Sequence, residues 1–250
     1  MLNGKNTLEA VVGGGWAVGA FVFTRKNRIS ADRQALLAEV RITYTDNSEE
    51  IIGTDETWLV TMNGKYKYGD FYDGETYDAG LDLNKADWHA ASLEKIKISP
   101  EITATYGALV KAREVMKPIS CKQLNEEELI YDFGQNFAGV VRFKAKGRAG
   151  QIIIIKHAEV LKKDGSLNTE LLRSAKATVL YICSGKDEEY SPRLTYMGFR
   201  YISVRGIKEE NIDIDALALY SDIERTGDFS CSNQMLNKLN ENILWSANSH

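Results

Sequence analysis

Short runs of Val, Ile, Leu, Tyr and Phe, each closed by a turn signal, recur along the sequence, and this spacing restricts it to an all-β architecture. Leu36–Thr45 alternates, breaks at Asp46-Asn47-Ser48 and resumes over Glu49–Thr54, which predicts a hairpin. Trp58–Met62 stops at Asn63-Gly64, a second hairpin signal, and Thr7–Val12 ends at Gly13-Gly14-Gly15. Further on, Leu109–Val115, Leu129–Phe133, Gly139–Ala145, Gln151–His157, Thr178–Cys183, Arg200–Val204 and Ala216–Tyr220 read as strands. Pro100, Pro118 and Pro192 all fall between runs, where no ladder bond is lost. The pattern weakens between Leu81 and Pro118, which places a domain boundary there. The expected fold is two consecutive antiparallel β-sandwich domains, jelly-roll-like, with one C-terminal helix. Residues 1–82 form the first domain, 83–118 a linker and the opening strand of the second, 119–231 the second domain, and 232–250 the helix.

The helix is read from Leu236, Leu239, Ile243 and Leu244, which fall on one face behind a cap at Ser232 or Asn233. Lys238, Glu241 and Asn242 take the other face. Such a stripe must pack on something. Two readings stand. In one, both ends are cut from a longer protein, and the helix opens a domain that lies beyond this chain. In the other, the N-terminus is native and the helix docks on its own sandwich. An uncovered stripe promotes association, so a homodimer through this helix, or a helix folded back, is expected.

Composition narrows function by exclusion. The net charge of −4 is spread along 250 residues with no block of one sign, so neither nucleic acid nor an anionic membrane is an expected partner. No run approaches the roughly 20 apolar residues of a membrane span. The N-terminal residues lack the basic-then-apolar pattern of a signal peptide, so a cytoplasmic location is expected. Cys121, Cys183 and Cys231 form no CxxC pair, which argues against zinc and fits a reducing compartment. Gly13-Gly14-Gly15 lacks the spacing of a nucleotide-binding fingerprint.

Several separate motifs carry a resemblance. Tyr131-Asp132-Phe133-Gly134-Gln135-Asn136 with Ala138–Arg142, His157-Ala158-Glu159-Val160-Leu161 with Asp164-Gly165 and Leu171–Ala175, and Pro192–Tyr196 with Gly198-Phe199-Arg200-Tyr201 together resemble bacterial α-L-rhamnosidases of glycoside hydrolase family 78. Thr54–Trp58, Gly15-Trp16 and Tyr72–Ala79 are similar to the N-terminal β-sandwich of that family. Ser221–Gly227 and Phe229–Ser232 resemble the junction leading to its catalytic domain. There are departures. Met197 stands where the family often has His, Thr178-Val179-Leu180-Tyr181 lacks an acidic residue usual after the Thr, and Gly14 replaces an Asp before Gly15-Trp16.

The resemblance implies an inverting hydrolysis of α-L-rhamnosides. That reaction needs an acid and a base carboxylate roughly 6.5–9.5 Å apart. It also implies that both carboxylates lie in an (α/α)6 barrel beyond about Ser232, so no catalytic residue is assigned and the chain is expected to be inactive alone. The barrel is the expected partner. The alternative is a free-standing carbohydrate-binding module for L-rhamnose, assisted by calcium. Its candidate residues are Trp16 as a stacking platform and Asp73 and Glu75, with Asp70 and Asp78, around Tyr72 and Tyr77. The structural reading of the same residues is a polar interdomain loop with Trp16 in packing. Trp58 is expected in the core and Trp245 against the missing barrel. His89, His157 and His250 are expected to be structural, and Gln135 and Asn136 to satisfy a turn.

Overall fold

A computed structural model describes residues 4–21, 24–94 and 103–248. Its strands are β1 Glu39–Thr43, β2 Glu49–Gly53, β3 Leu59–Val60, β4 Tyr66–Asp70, β5 Gly74–Asp78, β6 His89–Ala90, β7 Val110–Met116, β8 Ser120–Asn125, β9 Glu128–Ala145, β10 Ile152–Ala158, β11 Thr178–Ile182, β12 Glu188–Tyr190, β13 Met197–Arg205 and β14 Ile212–Ser221. The α-helices are a single turn, α1 Gly15–Val18, and α2 Gln234–Asn248. The chain is all-β with one long C-terminal helix, as the sequence pattern predicts.

Ten strands form one sheet in the order β4-β5-β11-β10-β13-β9-β14-β7, with β8 and β12 also on β9. Its pivot is β9, an 18-residue strand that the sequence reads as two. The intervening Gly134-Gln135-Asn136 is a bulge and not a connection. Gly134 takes φ +76, and the β9–β13 register slips between Phe199 and Tyr201. With this bend, β9 pairs β8 along its first half and β12 and β14 along its second, while β13 runs beside both. The sheet thereby closes over a core of Val141, Phe143, Ile153, Ile155, Val179, Phe199, Ile202, Val204, Ala216 and Ala218. Alternation supplies these residues: Ile153 and Ile155 are buried while Ile152 is exposed. Each large side chain buried this way contributes roughly 1.5–3 kcal/mol. Ile130, Ala158 and Leu167 form a smaller cluster apart from this core.

The N-terminal segment has a different character. Of its described residues between 4 and 65, only Ala20 is buried. The β1–β2 hairpin forms as predicted, pairing Val40 with Ile52. Asn47 takes φ +64, and Asp46 Oδ1 accepts from Ser48 N at 2.9 Å. Asn63-Gly64 does not close a hairpin, because β3 pairs with β6, Leu59 opposite Ala90. Thr7–Val12 forms no strand. Trp58 is half-exposed, its Nε1 donating to Gly53 O at 3.1 Å, so it is not a core residue. Strands β4 and β5 belong to the large sheet, β5 lying parallel to β11 from Gly74↔Thr178 to Asp78↔Ile182.

Asn233 caps α2, accepting from Met235 N at 2.9 Å. Trp245 packs on the sandwich core and not away from it, a correction to its expected placement. The helix lies against β9 and β14. Met235, Leu239 and Ile243 remain exposed on its outer face. Among the described residues no helix is long and apolar enough to cross a membrane.

Candidate functional site

The acidic constellation of residues 70–78 folds into the joint between the N-terminal segment and the sheet. The turn between β4 and β5 brings Asp70, Asp73 and Glu75 inward, and all three are buried. Gly74 sits between them at φ +107, and a Cβ there would lie 2.0 Å from Thr178 O, so the parallel pairing with β11 requires glycine.

Each buried carboxylate is fully engaged by protein donors. Asp70 accepts from Ala20 N at 3.2 Å, Tyr72 N at 2.9 Å, Asp73 N at 2.6 Å and the Tyr68 hydroxyl. Asp73 receives both guanidinium nitrogens of Arg25, at 2.9 and 2.6 Å, and lies 3.0 Å from Lys176 Nζ. Burial raises the Asp73 pKa, but the hydrogen bonds from Arg25 and Lys176 outweigh it and hold the carboxyl below its ordinary value. Arg25 also donates to Ser174 O, tying three chain segments to one point. Glu75 accepts from Tyr190 Oη, from Arg193 N at 3.0 Å and from Leu194 N at 2.7 Å. Desolvation dominates here and lifts its pKa above the ordinary carboxylate range.

This geometry leaves Asp73 and Glu75 few oxygen lone pairs to offer a calcium ion or sugar hydroxyls. Their oxygen atoms already serve internal donors. No group of three or more His, Cys, Asp or Glu side chains suited to a metal ion occurs among the described residues. Asp78 lies apart from the other carboxylates, accepting from Gly80 N at 3.0 Å. Sequence reasoning missed the partners. Arg25 and Tyr190 lie 48 and 115 residues from their carboxylates, and no local pattern announces them.

Trp16 is 42% exposed and sits among aromatic rings. Its indole lies 5.1 Å from Phe71, 5.2 Å from Phe21 and 5.4 Å from Tyr72. Phe71 meets Tyr196 edge-on at 5.6 Å, and Tyr196 is 50% exposed. Trp16 therefore packs with one part and presents another, joining the N-terminal segment to the loop before β13 in one aromatic surface.

The remaining described candidates make contacts within the chain. His157 is wholly buried with Nδ1 2.8 Å from Ala177 O, and burial lowers its pKa to about 4. His89 is exposed and pairs with Asp87 at 3.0 Å. His250 lies outside the described residues. Asn136 donates to Glu159 Oε1 at 3.1 Å, and Gln135 donates to Asn136 O. Asp132, the acid of the Asp-Phe-Gly run, takes the Arg200 guanidinium through two bonds of 2.8 and 2.9 Å and accepts from Gly134 N. Those Arg200 bonds, with lesser help from Gly134, hold its carboxyl below the ordinary value. Asp82 and Asp87 line an open cleft with Lys67 and Lys85. Asp82 caps a short turn at Asn84, and Asp87 serves His89.

The described residues form a β-sandwich with an N-terminal β segment annexed to its large sheet, the buried carboxylates spent on the joint between them. Two family descriptions match the sequence: "Alpha-L-rhamnosidase N-terminal domain" over residues 1–123 and "Bacterial alpha-L-rhamnosidase concanavalin-like domain" over residues 122–220. The chain belongs to the bacterial α-L-rhamnosidase family. An α-L-rhamnosidase of Alteromonas sp. is 32% identical over 96% of this chain and 27% of its own length. The crystal structure of Streptomyces avermitilis α-L-rhamnosidase complexed with L-rhamnose superposes with a TM-score of 0.85 at 31% identity, covering 94% of this chain and 24% of that one. The Aspergillus terreus enzyme gives 0.80 at 33% identity, covering 94% and 28%. The chain thus spans about a quarter of the length of the curated relatives it matches.

Proposed function

We propose that this chain is the non-catalytic β scaffold of an α-L-rhamnosidase, packing against the catalytic part and shaping its mouth. The observation that carries this reading is the state of the carboxylates. Inverting hydrolysis needs two of them facing a substrate across roughly 6.5–9.5 Å. Here Asp70, Asp73 and Glu75 are sealed in the joint, and Glu128 is paired with Arg205 at 2.7 Å. The exposed apolar residues of α2 (Met235, Leu239 and Ile243) and of the β7 edge (Leu109, Val110 and Val115) support a docking face. A cytoplasmic location belongs to the same reading and is supported by the free thiols of Cys121, Cys183 and Cys231. The test is release of nitrophenol from an aryl α-L-rhamnoside by the purified chain. No release above buffer is expected, and turnover would overturn the proposal.

The aromatic surface around Trp16 favours a second reading, carbohydrate binding. Partly exposed indole and phenol rings at Trp16 and Tyr196 suit the apolar face of a sugar. Calorimetric titration with L-rhamnose, with and without calcium, tests it. Saturable binding lost in Trp16→Ala supports a sugar-binding role; heats equal to dilution in every cell refute it.

A further inference from the structure

A second cleft lies at the end of the sandwich, away from the acidic joint. It has a volume of about 380 Å³ and is lined by Lys146, Gly147, Arg148, Gly185, Lys186 and Asp187. Its walls are two turns, one following β9 and one following β11. Gly150 N donates to Cys183 O at 2.9 Å, which pins the first turn to the end of β11. The glycines permit the close approach. A Cβ at Gly147 would lie 2.3 Å from Cys183 Sγ, and one at Gly185 would lie 3.1 Å from Ala149 while the backbone holds φ +86. The turns are therefore fixed against each other before any ligand arrives.

The charge on this frame is one-sided. Lys146, Arg148 and Lys186 line the cleft, and among the described residues none of them has a carboxylate partner. The one acid in the lining, Asp187, is turned to Lys144 at 3.6 Å. A cleft lined by three cations and one already paired acid carries a positive potential that attracts an anion. The volume exceeds what a bare inorganic ion fills and sits at the lower end of small-molecule sites.

We propose that this cleft binds the oxyanion group of a small acidic organic molecule, with Arg148 supplying the paired donors and Lys146 and Lys186 the flanking charge; acidic sugars serve as the probes. The site is independent of the scaffold and Trp16 readings. Its chemistry admits a sulfate ester, a phosphate ester or a carboxylate, which separate experimentally. The full chain is titrated with glucose 6-sulfate, glucose 6-phosphate, glucuronate and neutral glucose while amide NMR shifts are followed. Saturable shifts centred on residues 146–150 and 184–187 are expected for at least one acidic sugar and not for glucose, and the tightest of the three identifies the group. In the combined variant K146Q/R148Q/K186Q the affinity falls at least about tenfold, the effect of losing charge-assisted contacts. Lys238→Gln on α2, another exposed lysine, serves as the control and leaves binding unchanged. Inorganic sulfate binding as tightly as the acidic sugars would overturn the organic component. Absence of saturation, or equal affinity in the combined variant, would overturn the site.

Discussion

Glu75 separates a structural carboxylate from a ligand-binding one. It is 1% exposed, and its two oxygens divide three donors: Tyr190 Oη on one, and the amides of Arg193 and Leu194 on the other. Glu75→Ala orphans all three. An unmet buried donor costs about 1–3 kcal/mol. Arg193 is the most exposed of the three, so the cost is reckoned on Tyr190 and Leu194. The sum is about 2–6 kcal/mol. Glu75→Gln keeps the shape. Its carbonyl can accept both amides and its amide group can donate to Tyr190 Oη, so the loss is about 1 kcal/mol. The assay is urea unfolding of the two variants beside the parent, read as midpoints at constant slope. A Glu75→Ala midpoint equal to that of Glu75→Gln would refute the reasoning. The pH dependence gives an independent check. A carboxyl whose folded pKa is raised binds more protons folded than unfolded, so its contribution to stability falls as pH rises from the ordinary carboxylate value through the raised one. Glu75→Gln removes that decline.

Other outcomes follow from the same contacts. Asp73 has the opposite sign: its depressed pKa gives stability above the unfolded carboxyl value that is lost as pH falls through the folded one, and Arg25→Met, which removes its main donor, weakens that acid dependence in a pH series of melts. His157 is held neutral with a pKa near 4, so unfolding is favoured by up to about 3 kcal/mol as pH drops from 6.5 to 4, and His157→Phe flattens the slope in that window. Arg200→Lys forfeits the paired geometry on Asp132 and costs about 1–2 kcal/mol in urea unfolding, because an ammonium cannot span both oxygens. Trp245→Ala frees α2 from the core, lowering the helical signal in circular dichroism and making residues 234–248 the first site of limited proteolysis.

The β class, the strands from Leu129 onward except the short β12, the Asp46–Ser48 hairpin and the α2 helix were legible in the sequence, because each rests on local periodicity or a cap. The linear motifs also carried the family, since they keep their order along the chain. Tertiary structure decided the rest. Whether Gly134-Gln135-Asn136 ends a strand or bends one depends on β13 lying alongside, 60 residues later. Whether β4 and β5 belong to the first or the second half depends on a parallel pairing with β11 that no local signal encodes. For Asp73 and Glu75, charge and spacing are visible in a sequence, while the identity of the partners is not: Arg25, Lys176 and Tyr190, which occupy their oxygens, are brought to them only when the sheet forms. The same holds for Lys146, Arg148 and Lys186. Separated along the chain they are ordinary surface cations, and two turns pinned together by a buried cysteine and three glycines bring them to the lining of one cleft.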